Sequence, residues 1–146
     1  MTVDLPFTRL RPDAKLPTSQ HSGDAGLDLA AVEGVTVKPG ERAMVPTGVA
    51  IAIPDGHAGL VLPRSGLASK RGLTLANAPG LIDAGYRGEV ICAVVNLDPH
   101  DAVEISAGDR IAQLVIVPVA AVTPVFVEEL PASTRGAGGF GSTGVS

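Results

Sequence analysis

The stretch Asn77-Ala78-Pro79-Gly80-Leu81-Ile82-Asp83-Ala84-Gly85-Tyr86-Arg87-Gly88-Glu89 places one carboxylate and the only tyrosine of the chain on turn-rich backbone between two apolar runs. Gly80, Gly85 and Gly88 carry no side chain, so backbone here can come close to a flat ligand. Asp83 then stands to act on a bound molecule and Tyr86 to pack against it. Read alone, the same residues also make a hairpin with a solvated acid. Four further segments combine glycine with polar side chains: Asp24-Ala25-Gly26-Leu27-Asp28-Leu29, Pro63-Arg64-Ser65-Gly66-Leu67-Ala68, Gly108-Asp109-Arg110-Ile111-Ala112-Gln113-Leu114, and the run from Arg135 through Gly136, Gly138, Gly139, Phe140 and Gly141 to Gly144. Arg64-Ser65-Gly66 falls where a strand over residues 58–62 gives way to a short helix. That sets a guanidinium and a hydroxyl beside free N–H groups and suits an anion; the plainer alternative is a Ser65 N-cap next to a solvated Arg64. Gln113 interrupts an apolar run, and an amide is costly to bury unpaired, so it faces either solvent or a polar site. Asp24 and Asp28 flank a glycine in an irregular stretch and could simply cap a turn. Arg135 and Phe140 stand on glycine-rich chain that is either a loose tail or a flap able to lay a cation and a ring face on a ligand.

The elements that must hold these residues are short strands. Val35-Thr36-Val37 stops at Lys38-Pro39-Gly40, Val49-Ala50-Ile51-Ala52-Ile53 at Pro54-Asp55-Gly56, and Val103-Glu104-Ile105 at Ser106-Ala107-Gly108. That spacing predicts an all-β sandwich or barrel. Residues 110–122 form the longest apolar stretch; Val, Ile and Pro118 make it a poor helix and a buried strand. The one helix is expected near residues 65–70, ended by Gly72. After Leu130 the chain turns to Ser, Thr, Gly and Arg, which predicts a domain over 1–132 and a mobile arm over 133–146.

Composition bounds the rest. At 146 residues the chain is one domain, able to bury roughly two-thirds of its unfolded surface. With no Trp, one Tyr and three Phe, its core must be aliphatic. The single Cys92 sits in Val90-Ile91-Cys92-Ala93-Val94-Val95, where a reduced core thiol is expected, consistent with a reducing cytoplasm. Net charge is −4 without a Lys/Arg cluster, which argues against a nucleic-acid partner. No run approaches the roughly 20 apolar residues of a membrane helix, and Met1-Thr2-Val3-Asp4-Leu5 lacks a basic start, so neither membrane insertion nor export by a standard signal is expected. Gly136-Ala137-Gly138-Gly139-Phe140-Gly141 fits G-x-G-x-x-G, but no strand closely precedes it and too few residues follow for a helix; a Rossmann site is rejected. No G-x-x-x-x-G-K-S/T segment is present either.

In order, the five segments resemble the five motifs of the homotrimeric dUTP pyrophosphatases (dUTPases), and the resemblance runs from about Asp24 to Gly144. It implies a distorted jelly-roll-like β-barrel or sandwich with one short helix and a flexible C-terminal arm. The implied activity is hydrolysis of dUTP to dUMP and pyrophosphate, which lowers dUTP and supplies dUMP for thymidylate synthesis. Asp83 would orient and activate the water that attacks the α-phosphorus. Arg64, Ser65, Gly66 and Gln113 would contact the phosphates from one subunit. Asn77, Leu81, Ile82, Tyr86 and Ile91 would form the nucleoside pocket, and Arg135, Phe140 and Gly141 would close over the ligand from another subunit of a homotrimer. Mg²⁺ would be held by the phosphates and water without a direct protein ligand, Asp28 lying near the sugar and phosphates with any metal contact through water. A dCTP deaminase shares the fold and phosphate motifs, but its chemistry wants a glutamate near the base, where this stretch offers Asp83 and Tyr86. A non-catalytic trimeric regulatory protein is the other alternative; intact Asp83, Gln113 and arm speak against it.

Overall fold

Apolar residues every second position, broken by Pro and Gly turns, give ten strands and one helix in the computed structural model, which describes residues 2–141, 143 and 144. Ser142 of the last glycine-rich segment and the final two residues of the expected arm lie outside the described residues. One antiparallel sheet holds β1 (Phe7–Arg9), β4 (Arg42–Ile51), β8 (Glu89–Asn96) and β6 (Leu73–Leu75), in that order. A second holds β2 (Leu27–Ala30), β10 (Arg110–Pro118), β5 (His57–Pro63) and β7 (Gly80–Ile82). The short strands β3 (Val35–Val37) and β9 (Val103–Ile105) pair with each other. The sheets remain separate, with β1, β6, β2 and β7 as edges, so the all-β jelly-roll-like architecture is a sandwich and not a closed barrel.

The core between the sheets is aliphatic, as the scarcity of rings requires. Leu29, Val45, Val94 and Leu114 are wholly buried, drawn alternately from both sheets. Cys92 lies among them, and burial pushes its thiol up to about 12, so it is a protonated core residue at neutral pH. The one fully buried amide, Asn96, is completely paired: its Nδ2 donates to the carbonyls of Val37 (2.9 Å) and Asp101 (2.8 Å), and its Oδ1 accepts from the Asp98 N–H (2.9 Å). It ties the end of β8 to β3 and to the following loop.

The helix α1 (Ser65–Arg71) closes on Gly72 in the left-handed conformation, as its sequence predicts. Its N-cap is Arg64 and not Ser65, because the backbone is still extended at Arg64; Ser65 is the first helical residue and its hydroxyl caps nothing. The strand predicted over 110–122 ends at Pro118. Only the Val119 N–H, bonded to the Gly56 carbonyl, continues its path, and the described residues beyond are exposed apart from Gly138 and Gly139. Thus Val122, Val125, Phe126 and Leu130 are apolar yet uncovered within the chain.

Candidate functional site

The local reading of residues 77–91 as a hairpin is corrected by the sheet topology. β7 and β8 do not pair with each other: β7 bonds to β5, with Gly59 opposite Ile82 and Val61 opposite Gly80, while β8 lies between β4 and β6 in the other sheet. The chain therefore crosses from one sheet to the other and back. β6 leaves β8 after the Ala76 N–H donates to the Ala93 carbonyl, so the first half of β8 has no strand on that side. Opposite it runs the free edge of β7. Between these splayed strands opens a cleft of about 310 Å³, lined by Asn77, Gly80, Leu81, Ile82, Asp83, Tyr86 and Ile91, all singled out in the sequence, and by Glu89, Met44 and Ala93, which were not. Unpaired edge backbone offers N–H and C=O groups to whatever enters, much as a missing strand would receive them.

Asp83 stands at the mouth of this cleft on an exposed turn, its carbonyl accepting the Tyr86 N–H at 3.1 Å. Arg87, its nearest cation in sequence, folds back to the carbonyls of Ala84 (2.6 Å) and Tyr86 (3.1 Å). The Asp83 carboxylate forms no ion pair among the described residues, which leaves it an acceptor for water or a substrate proton. The Tyr86 hydroxyl donates to the Glu89 carbonyl at 2.9 Å.

The polar residues of the earlier segments meet elsewhere. Asp28, on β2 opposite Gln113 of β10, receives two guanidinium groups, Arg64 at 3.5 Å and Arg110 at 3.3 Å, and Arg64 also donates to the Arg110 carbonyl. Gln113 is half-buried; its Nε2 donates to the Pro63 carbonyl at 3.0 Å, and its Oε1 lies where a Cβ on Gly26 would approach to 2.5 Å. Any side chain at 26 would displace that amide. Asp24 caps its own turn, accepting the His21 N–H at 2.8 Å, and lies at the border of the same depression as Asp28 and Gln113. Together Gln20, His21, Gly26, Asp28, Arg64 and Gln113 border a second, open depression. Ser65 and Gly66 are exposed at the start of α1, whose first turn holds no acid. The Asp83 cleft and the Arg64–Gln113 depression share no lining residue in one chain.

The arm is bonded locally. Arg135 Nε donates to the Gly138 carbonyl (2.6 Å), Ser133 Oγ accepts the Gly136 N–H (3.1 Å), and Phe140 is fully exposed at a positive φ of 50° beside Gly141. It reaches neither the cleft nor the guanidinium cluster. Of the residues sequence reading passed over, Arg110 and Glu89 both lie inside the quoted segments; what was missing was the pairing that shows what each faces.

Comparison with known proteins supplies the kinship of this arrangement. The dUTPase family model matches residues 12–144. A deoxyuridine 5'-triphosphate nucleotidohydrolase of Thermobifida fusca is 57% identical over 98% of this chain and 80% of its own length. That of Leifsonia xyli is 55% identical over 98% and 91%. Among solved structures, the Staphylococcus bacteriophage 80alpha dUTPase with dUpNHpp superimposes with a TM-score of 0.91 at 35% identity, over 99% of this chain and 100% of that one. A mutant dUTPase from phage phi11 of S. aureus, described for its coordination of a structural Mg(II) ion, has a TM-score of 0.81 at 32% identity over 87% and 98%.

Proposed function

The chain belongs to the dUTPase family and is a dUTP-hydrolysing enzyme, and from that premise we propose that it cleaves dUTP to dUMP and pyrophosphate, with Asp83 activating the attacking water. The observation that carries this reading is the unpaired Asp83 carboxylate at the mouth of a cleft walled by free strand-edge backbone. A carboxylate there takes the proton of a water held in line with the α-phosphorus, and holding the two reactants together replaces a bimolecular encounter. Uracil enters the cleft and pairs with the backbone of β7 and β8. Cytosine presents a donor where uracil has an acceptor and leaves buried groups unpaired, and the thymine methyl meets backbone. Tyr86 packs under the sugar and leaves no space for a ribose 2′-hydroxyl.

Phosphates are received by Arg64, Ser65, Gly66 and Gln113. The depression bordered by Arg64 and Gln113 is separate from the Asp83 cleft in one chain, which supports a site completed by neighbouring subunits of a homotrimer. The exposed apolar chain over 119–130 supports the same reading, since it presents Val122, Phe126 and Leu130 to a surface the single chain does not supply. Arg135 and Phe140 then close over the γ-phosphate and the uracil of a neighbouring site, with Gly141 giving the turn.

Mg²⁺ fits as a companion of the phosphates. Among the described residues no three His, Cys, Asp or Glu side chains converge on a metal position, and Asp28 is engaged by two guanidinium groups, so Asp28 would meet the ion through water. Held in that way by the phosphates and water, with Asp28 beside them, the ion would supply Lewis-acid neutralisation of phosphate charge.

The test is direct: incubate the protein with dUTP and, separately, with dCTP, and follow pyrophosphate and ammonia. Pyrophosphate from dUTP alone is expected. Ammonia from dCTP would mean a deaminase, and here Glu89 matters, since it does line the cleft; its carboxylate, however, is occupied by the Gly48 N–H at 2.9 Å. No turnover of either substrate would favour a regulatory binding protein.

A further inference from the structure

The Tyr86 ring is not enclosed: it is 46% exposed, and two contacts on its own strand entry set where it lies. One is the hydrogen bond from its hydroxyl to the Glu89 carbonyl, 2.9 Å. The other is Gly88. A Cβ at that position would fall 2.5 Å from the Tyr86 Oη, 2.7 Å from Cζ and 3.0 Å from Cε2, so the ring rests on the bare Cα of this glycine. The backbone at Gly88 is not in the left-handed region, and the residue is exposed, so the ring is what an added methyl group would strike.

Glu89 in turn is anchored to the core. Its carboxylate accepts the N–H of Gly48, which stands at a φ of 74° where the β4–β8 register slips between Pro46 and Ala50. One residue away on each strand, the buried Thr47 hydroxyl donates to the Val90 carbonyl at 2.6 Å. A chain of bonds thus runs from the buried bulge of β4, through the Glu89 side chain, to the carbonyl that holds the tyrosine.

We propose that Gly88 and Glu89 are positioning residues that fix the Tyr86 ring and, through it, set the preference for a 2′-deoxyribose over a ribose; the second clause rests on the role proposed for Tyr86 above. A ring lifted off its glycine by even part of an ångström no longer presents the same floor to the sugar, and a specificity built on steric exclusion is lost when the excluding surface moves.

Because Tyr86 is the only tyrosine and the chain has no tryptophan, its near-ultraviolet circular dichroism reports this one ring without a label. The experiment compares wild type, Gly88→Ala, Glu89→Ala, Glu89→Gln, Tyr86→Ala and the double variant Gly88→Ala/Tyr86→Ala, measuring that signal and kcat/KM for dUTP and UTP. Gly88→Ala is expected to change the tyrosine band and to lower the dUTP-over-UTP preference by about ten-fold or more. In the Tyr86→Ala background it should change the preference by less than about two-fold, because the coupling runs through the ring. Glu89→Ala should act like Gly88→Ala, and Glu89→Gln, which keeps an acceptor for the Gly48 N–H, should restore most of the preference. An unchanged tyrosine band in Gly88→Ala, or an equal loss of preference with and without the ring, overturns the proposal. Should Tyr86→Ala itself keep the full preference, the role assigned to that side chain in the site fails, and the near-ultraviolet signal alone then upholds or overturns the positioning by Gly88 and Glu89.

Discussion

Around Asp83 the groups that shape the cleft are tied into the sandwich: β7 to β5, β8 to β4, the Tyr86 hydroxyl to Glu89 and the Glu89 carboxylate to the β4 bulge. Beyond Pro118 the described chain is tied chiefly to itself, with Arg135 bonded to Gly138 and with Phe126 and Phe140 wholly exposed. Both regions carry polar and aromatic side chains of the kind that handle a nucleotide, yet only the first is finished within one polypeptide. The difference is between a cleft preformed by the strands of a single chain and a segment that the same chain leaves uncovered. It also separates the costs. A change in the cleft acts on residues already held by the sheets, whereas an arm that closes in the way proposed would give up conformational freedom each time.

The largest effect is expected at the finished region. Asp83→Asn keeps size and position but cannot accept a proton from water, so kcat should fall by at least about a thousand-fold while dUTP still binds. Binding of the non-hydrolysable analogue by calorimetry and turnover by pyrophosphate release separate the two quantities; substantial kcat in a preparation free of wild type would remove Asp83 from the role of base. Truncation before Ser133 probes the unfinished region. It should lower kcat/KM by about a hundred-fold through lost closure and leave the melting temperature and oligomeric state as they were. Normal kcat would make the tail a bystander, and loss of folding would place it in the core.

Whether the two regions belong to one site or to one chain is decided by mixing. Asp83→Asn and Arg64→Ala, each inactive, are refolded together. In a closed ring where cleft and phosphate residues of a site come from adjacent subunits, every mixed trimer holds one intact site, so roughly three-quarters of trimers regain one site in three and about a quarter of wild-type activity returns. A site built within one chain recovers nothing from verified heterotrimers.

Most of the fold was legible because it is written in local chemistry: Gly72 ending the helix, Pro-Gly turns closing β3 and β4, aliphatic alternation in place of rings. What could not be read was decided by distant partners. Nothing within residues 77–91 says that Gly80 and Ile82 pair with Val61 and Gly59, so a crossing between sheets looked like a hairpin. Val119 and Val122 read as the continuation of a buried strand because an apolar run does not say whether anything covers it, and in the chain both are exposed beyond the strand's end at Pro118. Gln113 was recognisable as anomalous from its burial cost, but the residue that makes space for it, Gly26, was indistinguishable from any turn glycine.

The smallest expected effect lies on the sandwich side, at the far end of β8 from the cleft. Asp98 Oδ1 accepts the Asp101 N–H (2.7 Å) and the His100 N–H (2.8 Å), and the loop it folds returns the Asp101 carbonyl to Asn96. The Asp101 bond first, and the His100 bond second, hold the Asp98 carboxyl below its usual range. A carboxylate depressed in the folded protein contributes stability above its unfolded value, about 3.9, and that contribution is lost as pH falls through the lower folded value. Asp98→Ala should therefore melt slightly below wild type near about pH 7, and the gap should narrow toward about pH 3 as the wild-type carboxyl is protonated. Because Asp98 belongs to the loop and not to the arm, the activity ratio between full-length and arm-deleted protein should be the same in either background. A gap that widens in acid would mean that the loop is held by something other than the carboxylate. A changed activity ratio would mean that the end of β8 and the arm are coupled, and that the two regions are less separate than their contacts indicate.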